Sequence, residues 1–255
     1  MRNRYFLTLF FIAFFSLLKA QEMPISYTFG EKYNDKYKYS NLLTMAPDGQ
    51  GGSILIRSYF TGIILKPRGY FIEHYNQNLE LIEEFNYKLK DVNYVDAFVK
   101  NGQVYLLFLE YNYGSKAYEY IIHKSSFSSF NFTKQTILSI DSDPVEEPLD
   151  RNYYNRNFSS GFTTTVLFDK DKSAFAISSH HKKGKDNKHT ISVFDTSLNK
   201  LMEYDFSSEI EDKNYAFENM VISKNQSDVY LTAKAYFKRK DLPLPKESFN
   251  MSYYK

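Results

Sequence analysis

Short apolar segments alternate with turn residues along the whole chain. The first member of each hairpin covers residues 39–45, 94–99, 162–168 and 215–222. A turn rich in Gly, Asn, Asp or Ser follows each of them, and Gly, Asn and Asp are the residue types that tolerate a positive φ. A second and more apolar segment comes next, at residues 53–58, 104–111, 174–178 and 229–237. The pattern predicts four β-hairpins.

Two further strands are predicted after each of the first three hairpins. They cover residues 71–75 and 80–85, then 118–124 and 135–140, then 190–194 and 200–206. Four antiparallel strands in a unit of about 50 residues are typical of a β-propeller blade. We place the units at approximately residues 37–89, 90–140, 158–210 and 211–255. The extra length of the third unit is assigned to loops at residues 141–157 and 180–189.

The fourth unit is shorter than the others. After its second strand it has one further predicted strand, at residues 248–254, and then the sequence given stops. We therefore expect an all-β, β-propeller-like fold of about three and a half four-stranded antiparallel blades, which is an incomplete propeller. An open sheet edge of this kind also predicts self-association, because unpaired strand edges recruit other chains.

The second strands carry the strongest apolar signal. Every position of residues 104–109, Val-Tyr-Leu-Leu-Phe-Leu, is apolar, as a sheet covered on both faces requires. We expect the core to contain Leu106, Phe108, Phe175, Ile177 and Leu231. An outer-membrane β-barrel would need polar residues on the lumen side of each strand, and several strands lack that alternation. The barrel and a two-sheet sandwich remain as alternatives to the propeller.

Two repeated phrases carry a resemblance to a known group of proteins. They are turns of the type Asp195-Thr196-Ser197-Leu198 and the strand at residues 229–237 that leads to Lys238-Arg239-Lys240. From about Tyr37 to the C-terminus the chain resembles exported bacterial β-propeller-like repeat proteins of uncharacterised function. The resemblance implies the fold, and it carries over no catalytic residue.

The first twenty residues have the features of a secretory signal peptide. Arg2 and Arg4 precede an apolar run at residues 5–18, and Ala20 is a small residue before a cleavage point at Gln21. The run is shorter than the roughly 20 residues of a membrane-spanning helix. We predict a signal peptide at residues 1–20, a lead-in at residues 21–36 and the repeat domain at residues 37–255. The mature chain is then exported to the periplasm or the cell surface, without a transmembrane segment.

Composition excludes several classes of function. Three of the 32 basic residues, Arg2, Arg4 and Lys19, lie in the predicted signal peptide, so the remainder nearly balances the 30 acidic residues. A near-neutral chain gives no reason to expect nucleic acid as a partner, because phosphate binding depends on clustered Lys and Arg. The absence of cysteine excludes thiol nucleophiles, Cys-ligated zinc and disulfides. The 23 Tyr and 23 Phe residues favour β structure.

The most suggestive chemical cluster is the histidine-containing segment at residues 180–189. His180, His181 and His189 could converge on zinc or copper, but four lysines lie between them. We therefore interpret the segment as a solvated hairpin tip without a metal. His74 and His123 fall in predicted third strands, where a structural role is expected.

Other polar motifs are weak. The acidic stretch at residues 141–150 lacks the ligand spacing of a calcium loop and contains two prolines, so it is interpreted as a linker between blades. Glu83 and Glu84 are adjacent on a strand and point to opposite faces, so they cannot act as a catalytic pair. We predict no catalytic, cofactor-binding or metal-binding residue and no cofactor.

These observations favour a non-catalytic exported propeller protein that presents loops for binding a protein or a glycan. Whether the chain is an enzyme is left open by the sequence, since propeller sites are assembled from distant loops. The alternatives are a propeller-fold hydrolase with a site in the central channel and an outer-membrane barrel.

Overall fold

The computed structural model of the chain describes residues 27, 29–30, 39–61, 66–89, 92–144, 162–209, 215–226, 228–236 and 249–254. The chain divides into two compact units, Met1–Lys32 and Tyr33–Lys255. In the first unit, Tyr27 and Phe29 are exposed, and their rings meet edge to face at a centroid distance of 5.4 Å. The predicted signal peptide lies outside the described residues. In the part of the chain that the structure describes, no helix is long and apolar enough to cross a membrane.

The second unit contains fifteen described strands. They are β1 (Ser40–Pro47), β2 (Ser53–Thr61), β3 (Lys66–Tyr75), β4 (Leu81–Tyr87), β5 (Asn93–Lys100), β6 (Gln103–Asn112), β7 (Ala117–Ser126), β8 (Thr133–Asp141), β9 (Phe162–Phe168), β10 (Ala174–Lys183), β11 (Asp186–Asp195), β12 (Lys200–Asp205), β13 (Tyr215–Ile222), β14 (Val229–Tyr236) and β15 (Phe249–Tyr254). A 3₁₀ turn at Ser207–Glu209 follows β12.

The strands form four separate antiparallel sheets in chain order. Sheet 1 is β1-β2-β3-β4, sheet 2 is β5-β6-β7-β8, and sheet 3 is β9-β10-β11-β12. Sheet 4 is the described three-stranded sheet β13-β14-β15. Each strand pairs with its neighbour in sequence, as in the blades of a β-propeller. The predicted all-β, propeller-like fold of three and a half blades is confirmed.

The sheets are stacked so that each apolar cluster lies between two of them. Ile54 and Ile72 of sheet 1 pack with Leu106 and Phe108 of sheet 2. The other face of sheet 2, including Leu107, packs on the aromatic face of sheet 3. The opposite face of sheet 3 packs on sheet 4. A sheet with neighbours on both sides needs apolar residues at successive positions, which is what β6 provides.

The predicted core is confirmed. Leu106, Phe108 and Phe175 are fully buried, and Ile177 and Leu231 are 1% and 4% exposed. Residues 104–109 are buried at all six positions.

Two turns in different sheets have the same hydrogen bonds. In the β3–β4 turn, Asn76 Oδ1 accepts from the amides of Asn78 and Glu80, and Leu79 has a φ of 63°. In the β11–β12 turn, Asp195 Oδ1 accepts from Ser197 and Asn199, and Leu198 has a φ of 71°. A short Asn or Asp side chain that caps the turn amides supports this conformation.

The third unit differs from the prediction at residues 180–189. This segment was expected to be a loop, but β10 and β11 continue through it and pair up to Lys183 and Asp186. The expectation is wrong because the histidines and lysines interrupt the apolar pattern without interrupting the backbone ladder. Ladder hydrogen bonds form regardless of side-chain polarity, and His180 and His189 bury each other across the two strands.

Candidate functional site

The strand ends of each sheet form two opposite borders, which we call edges here and which are distinct from the unpaired outer strands. The β1–β2 and β3–β4 turns and their counterparts lie at one edge, which we call the turn edge. The β2–β3 type hairpins and the chain segments that lead to the next sheet lie at the opposite edge, which we call the connection edge. Loops at one edge of a rigid scaffold are where binding residues are concentrated. In sheet 3, the hairpin strands that reach the connection edge are β10 and β11, each ten residues long.

A two-residue turn, Gly184-Lys185, joins β10 to β11. Gly184 has a φ of 63°, which a two-residue hairpin turn requires. A Cβ built at Gly184 would meet open space, so backbone conformation is the reason for glycine here.

The tip of this hairpin is fixed to the end of sheet 2. The amide of Asp143 donates to Lys182 O at 3.1 Å, and Ser142 Oγ donates to the same carbonyl at 3.3 Å. The amide of Gly184 donates to Asp143 Oδ2 at 3.2 Å. These bonds give the first residues of the acidic stretch a structural role, while residues 145–150 lie outside the described ranges.

An open groove of about 630 Å³ lies beside the hairpin at the connection edge. All its lining side chains are polar or charged: Lys185, Asp186, Asn187, Lys188, Asp205, Ser207 and Ser208. The two lysines and two aspartates balance in charge. Lys188 Nζ lies 3.4 Å from Asp205 Oδ2, and both side chains are about half exposed. The groove can therefore offer hydroxyl, amide, ammonium and carboxylate groups to a polar ligand.

Hydrogen bonds preorganise one wall of the groove. The Ser207 hydroxyl donates to Asp205 Oδ1, and the Ser207 amide donates to the same oxygen at 2.9 Å. The Ser207 hydroxyl bond is the main cause that lowers the pKa of Asp205, while partial burial opposes it. Asp205 is consequently a carboxylate at neutral pH. Ser207 Oγ also accepts from the amide of His189 at 2.8 Å, which ties this wall to β11.

Beneath the groove, His180 and His189 form a buried pair between sheets 3 and 4. Their Nδ1 atoms share a hydrogen bond, and the rings are 6% and 1% exposed. Phe206 and Phe217 surround them, with ring centroids 5.7–6.2 Å from that of His180. Burial lowers the pKa of His180 well below its ordinary value, and His189 and His181 lower it further.

The interpretation of residues 180–189 as a solvated tip is therefore wrong for His180 and His189. It fits Lys182, Lys185 and Lys188, which are exposed. His181 points to the opposite face of β10, where Ser179 Oγ lies 3.5 Å from its Nδ1. Burial lowers the pKa of His181 to about 4. Among the described residues, no group of three His, Cys, Asp or Glu side chains converges as a metal site.

The other two histidines lie in third strands and have structural contacts. His74 Nε2 lies 3.0 Å from Asp48 Oδ2, and Asp48 Oδ1 caps the β1–β2 turn by accepting from Gln50 and Gly52. His123 Nδ1 lies 3.0 Å from the Tyr87 hydroxyl, which joins sheet 2 to sheet 1. Burial lowers the pKa of His123 to about 4. The expected structural role of these two residues is consistent with both contacts.

Sequence reasoning missed a buried ion pair on the central strands of sheet 1. Arg57 binds Glu73 through Nη2 and also through Nε at 3.0 Å, and Glu73 is 1% exposed. Burial and the nearby Glu73 carboxylate raise the pKa of Tyr75 to about 12. The available signal was the placement of opposite charges, Arg57 and Glu73, on two adjacent strands. Glu84 lies opposite Glu73, and Glu83 lies opposite His74, so adjacent residues of β4 do fall on different faces.

No protein-family model and no curated protein matches the chain. Among solved structures, the chain is similar to the β-propeller domain of the Trilobed protease from Pyrococcus furiosus, which has an open velcro topology. The two are 11% identical with a TM-score of 0.41, and the match covers 86% of this chain and 55% of the other. The chain is also similar to a GH43 endo-arabinanase from Bacillus licheniformis. That match has 12% identity and a TM-score of 0.26, over 82% of this chain and 92% of the other. The chain thus spans about half the length of the protease propeller domain.

Proposed function

We propose that this chain is a non-catalytic binding module of propeller type that holds a glycan at the connection edge of sheet 3. The observation that carries the proposal is the groove between the β10–β11 hairpin and the end of β12. Its lining groups donate and accept hydrogen bonds and balance in charge. These are the groups that match the hydroxyls of a neutral sugar chain.

The character of the lining favours a glycan over a protein. Protein–protein interfaces draw most of their affinity from aromatic and arginine anchors that fill desolvated pockets. The groove is lined by lysine, aspartate, asparagine and serine side chains instead. The bonds from Ser207 to Asp205 and from Ser142 and Asp143 to the hairpin hold this surface in place before a ligand arrives, which reduces the ordering cost of binding.

The test is a screen of the full chain against an array of neutral and acidic oligosaccharides, followed by calorimetry on any sugar that binds. Asp205→Ala should weaken binding by about tenfold or more, because a charged hydrogen bond contributes roughly 1.5–3 kcal/mol. Asn187→Ala removes a neutral hydrogen bond, which contributes roughly 0.5–1.5 kcal/mol, and should weaken binding by about threefold to tenfold. Asp171→Ala is the matched control, since Asp171 is an exposed aspartate in the β9–β10 turn at the opposite edge.

Equal loss of binding in Asp171→Ala and Asp205→Ala would contradict the placement of the site. If the chain retained no sugar from the array but bound a protein, the glycan assignment would be contradicted. The module would then be a protein-binding one.

We also infer that the protein is exported, with cleavage between Ala20 and Gln21. The support is the basic start, the apolar run and the small residue before the junction. N-terminal sequencing of protein collected from the periplasm or the medium should begin at Gln21. A chain that retains Met1 in the membrane fraction would contradict this inference.

A further inference from the structure

We propose that the His180–His189 pair makes the packing of sheet 4 on sheet 3 sensitive to pH, so that the two sheets separate locally when the medium becomes acidic. The proposal is independent of the groove and its ligand. It rests on where the two rings lie, on what surrounds them and on what occupies the corresponding positions in sheet 2.

Among the described residues, the interface between sheets 3 and 4 is apolar apart from the two imidazoles and the buried Ser178 of β10. Sheet 3 contributes Ala174, Ala176, Ile191 and Val193, and sheet 4 contributes Met220, Leu231 and Ala233. The imidazoles lie directly opposite each other on β10 and β11, against Phe217 of sheet 4. Charge that develops on either ring therefore develops inside the joint between the sheets.

The hydrogen bond between the two rings requires one Nδ1 that carries a hydrogen and one Nδ1 that does not. In the neutral pair, one Nδ1 carries a hydrogen and the other accepts it. When both rings are protonated, both Nδ1 atoms are donors and two positive charges lie side by side. Repulsion and the loss of hydration then oppose packing, and separation of the sheets relieves both.

The described charged groups near the pair are engaged elsewhere or add to the repulsion. Asp205 accepts from Ser207 and contacts Lys188, and Glu209 accepts from the Tyr204 hydroxyl. Asp143 accepts a hydrogen bond from the Gly184 amide. The Asp141 carboxylate partly offsets the lowering of the His181 pKa by burial. Lys182 and Asp186 are exposed near the tip. On β9, Thr163 lies opposite His180, and the inward side chains described for sheet 4 are Phe217, Met220, Ile222, Val229, Leu231 and Ala233.

The direction of the effect follows from the pKa. Because burial holds the pKa of His180 below its ordinary value, the separated state binds the proton more tightly than the packed state. The packed state is then most stable above pH 6.5, the ordinary value, and loses stability as the pH falls below it.

In sheet 2, the corresponding two positions hold side chains without an imidazole. Leu109 lies six residues into β6, as His180 does in β10, and its cross-strand partner is Tyr120. Both pairs face the following sheet. The double variant His180→Leu/His189→Tyr transfers this pair to sheet 3.

The experiment is hydrogen exchange of the full chain at pH 7.5 and pH 5.0, corrected for the intrinsic pH dependence of exchange. In the wild type, peptides from β13 and β14 should lose about tenfold or more in protection at pH 5.0, which corresponds to one unit of pKa difference. The loss should disappear in the double variant His180→Leu/His189→Tyr. His180→Gln/His189→Gln is the second variant, because it removes titration with little change in volume if Tyr fits poorly.

His181→Gln is the matched control, since it removes a half-buried histidine from the opposite face of the same strand. It should retain the acid-induced loss. Equal protection of β13 and β14 at both pH values in the wild type would overturn the proposal. So would an acid-induced loss that persists in both double variants, or one that disappears in His181→Gln.

Discussion

The two faces of sheet 3 pack by different means. On the face toward sheet 2, Phe162 stacks on Tyr118 with ring centroids 3.9 Å apart, and Phe175 lies among Phe98, Phe168 and Phe194. On the face toward sheet 4, β10 contributes the buried side chains of Ala174, Ala176, Ser178 and His180, and His189 of β11 lies opposite His180. One strand, β10, supplies both faces, because successive side chains point to opposite sides.

The difference shows that similar strand topology can produce joints of different character. Large rings bury roughly 150–250 Å² each, and the rings between sheets 2 and 3 pack at centroid distances from 3.9 to 6.1 Å, so this joint buries much apolar surface. Alanines bury little area but allow sheets 3 and 4 to approach closely, and the imidazoles add a group that titrates. We therefore expect the first joint to dominate stability and the second to respond to conditions.

The largest effect is expected from Phe175→Ala. Phe175 is fully buried in the joint between sheets 2 and 3, and its loss leaves a cavity, so the free energy of unfolding should fall by about 3–5 kcal/mol. Denaturant unfolding followed by circular dichroism gives the value. The control is Leu201→Ala on β12, which is 45% exposed and should change the value by less than about 0.5 kcal/mol.

Ala176→Leu tests the other face with a substitution in the opposite sense. Ala176 is fully buried against sheet 4, and added volume there should cost about 1–3 kcal/mol through overpacking. The same unfolding measurement applies. A leucine accepted without cost would mean that sheets 3 and 4 are less tightly packed than the structure indicates, which would weaken the contrast between the two joints.

His123 provides a pH test in a third joint, between sheets 1 and 2. Its folded-state pKa is about 4, below the ordinary 6.5, so stability should be fully present above pH 6.5 and should decrease as the pH falls toward 4. Between pH 7 and pH 5.5 this one group should cost about 1.2 kcal/mol. Unfolding curves of the wild type and His123→Gln at both pH values measure it. A difference between the two proteins that does not vary with pH would show that His123 does not contribute in this way.

The smallest effects are expected from polar contacts between sheets at the turn edge. Gln226 Nε2 donates to Ser173 Oγ at 2.6 Å between sheets 4 and 3, and Lys100 Nζ donates to Thr196 Oγ1 at 2.9 Å between sheets 2 and 3. Gln226→Ala and Lys100→Met should each cost about 0.5–1 kcal/mol. Similarly small losses of unfolding free energy in both variants would mean that the two joints differ in their apolar contacts and not in these polar contacts. A much larger value for Gln226→Ala would show that this polar link makes a major contribution to the joint between sheets 3 and 4.

Much of the fold was predictable because its signals are local. The strands with alternating or continuous apolar residues, such as β6 and β9, were recognised from residue type alone, and turns such as the one at Asp195 have characteristic chemistry. The ends of β10 and β11 were not, because His180 and His189 look like loop residues until they are placed opposite each other. That placement depends on the register of two strands and on the neighbouring sheet.

The candidate site was less predictable for the same reason. The groove combines the tip of one hairpin with the end of another strand, and its wall is fixed by a bond from Ser207 to the backbone of His189. None of these residues forms a recognisable motif in sequence. The pairing of Arg57 with Glu73 likewise required the register of β2 and β3, which sequence patterns do not determine.

The matching turns after β3 and β11 have a consequence for engineering. Asn76 and Asp195 organise their turns with the same backbone bonds. Thr196 and Ser197 also accept hydrogen bonds from Lys100 of sheet 2, so the turn at residues 76–80 is the better place for an insertion. Both turns lie at the edge opposite the groove. A peptide tag or a fluorophore grafted there would report on the protein from a distance, and the surface proposed to hold the glycan would stay untouched.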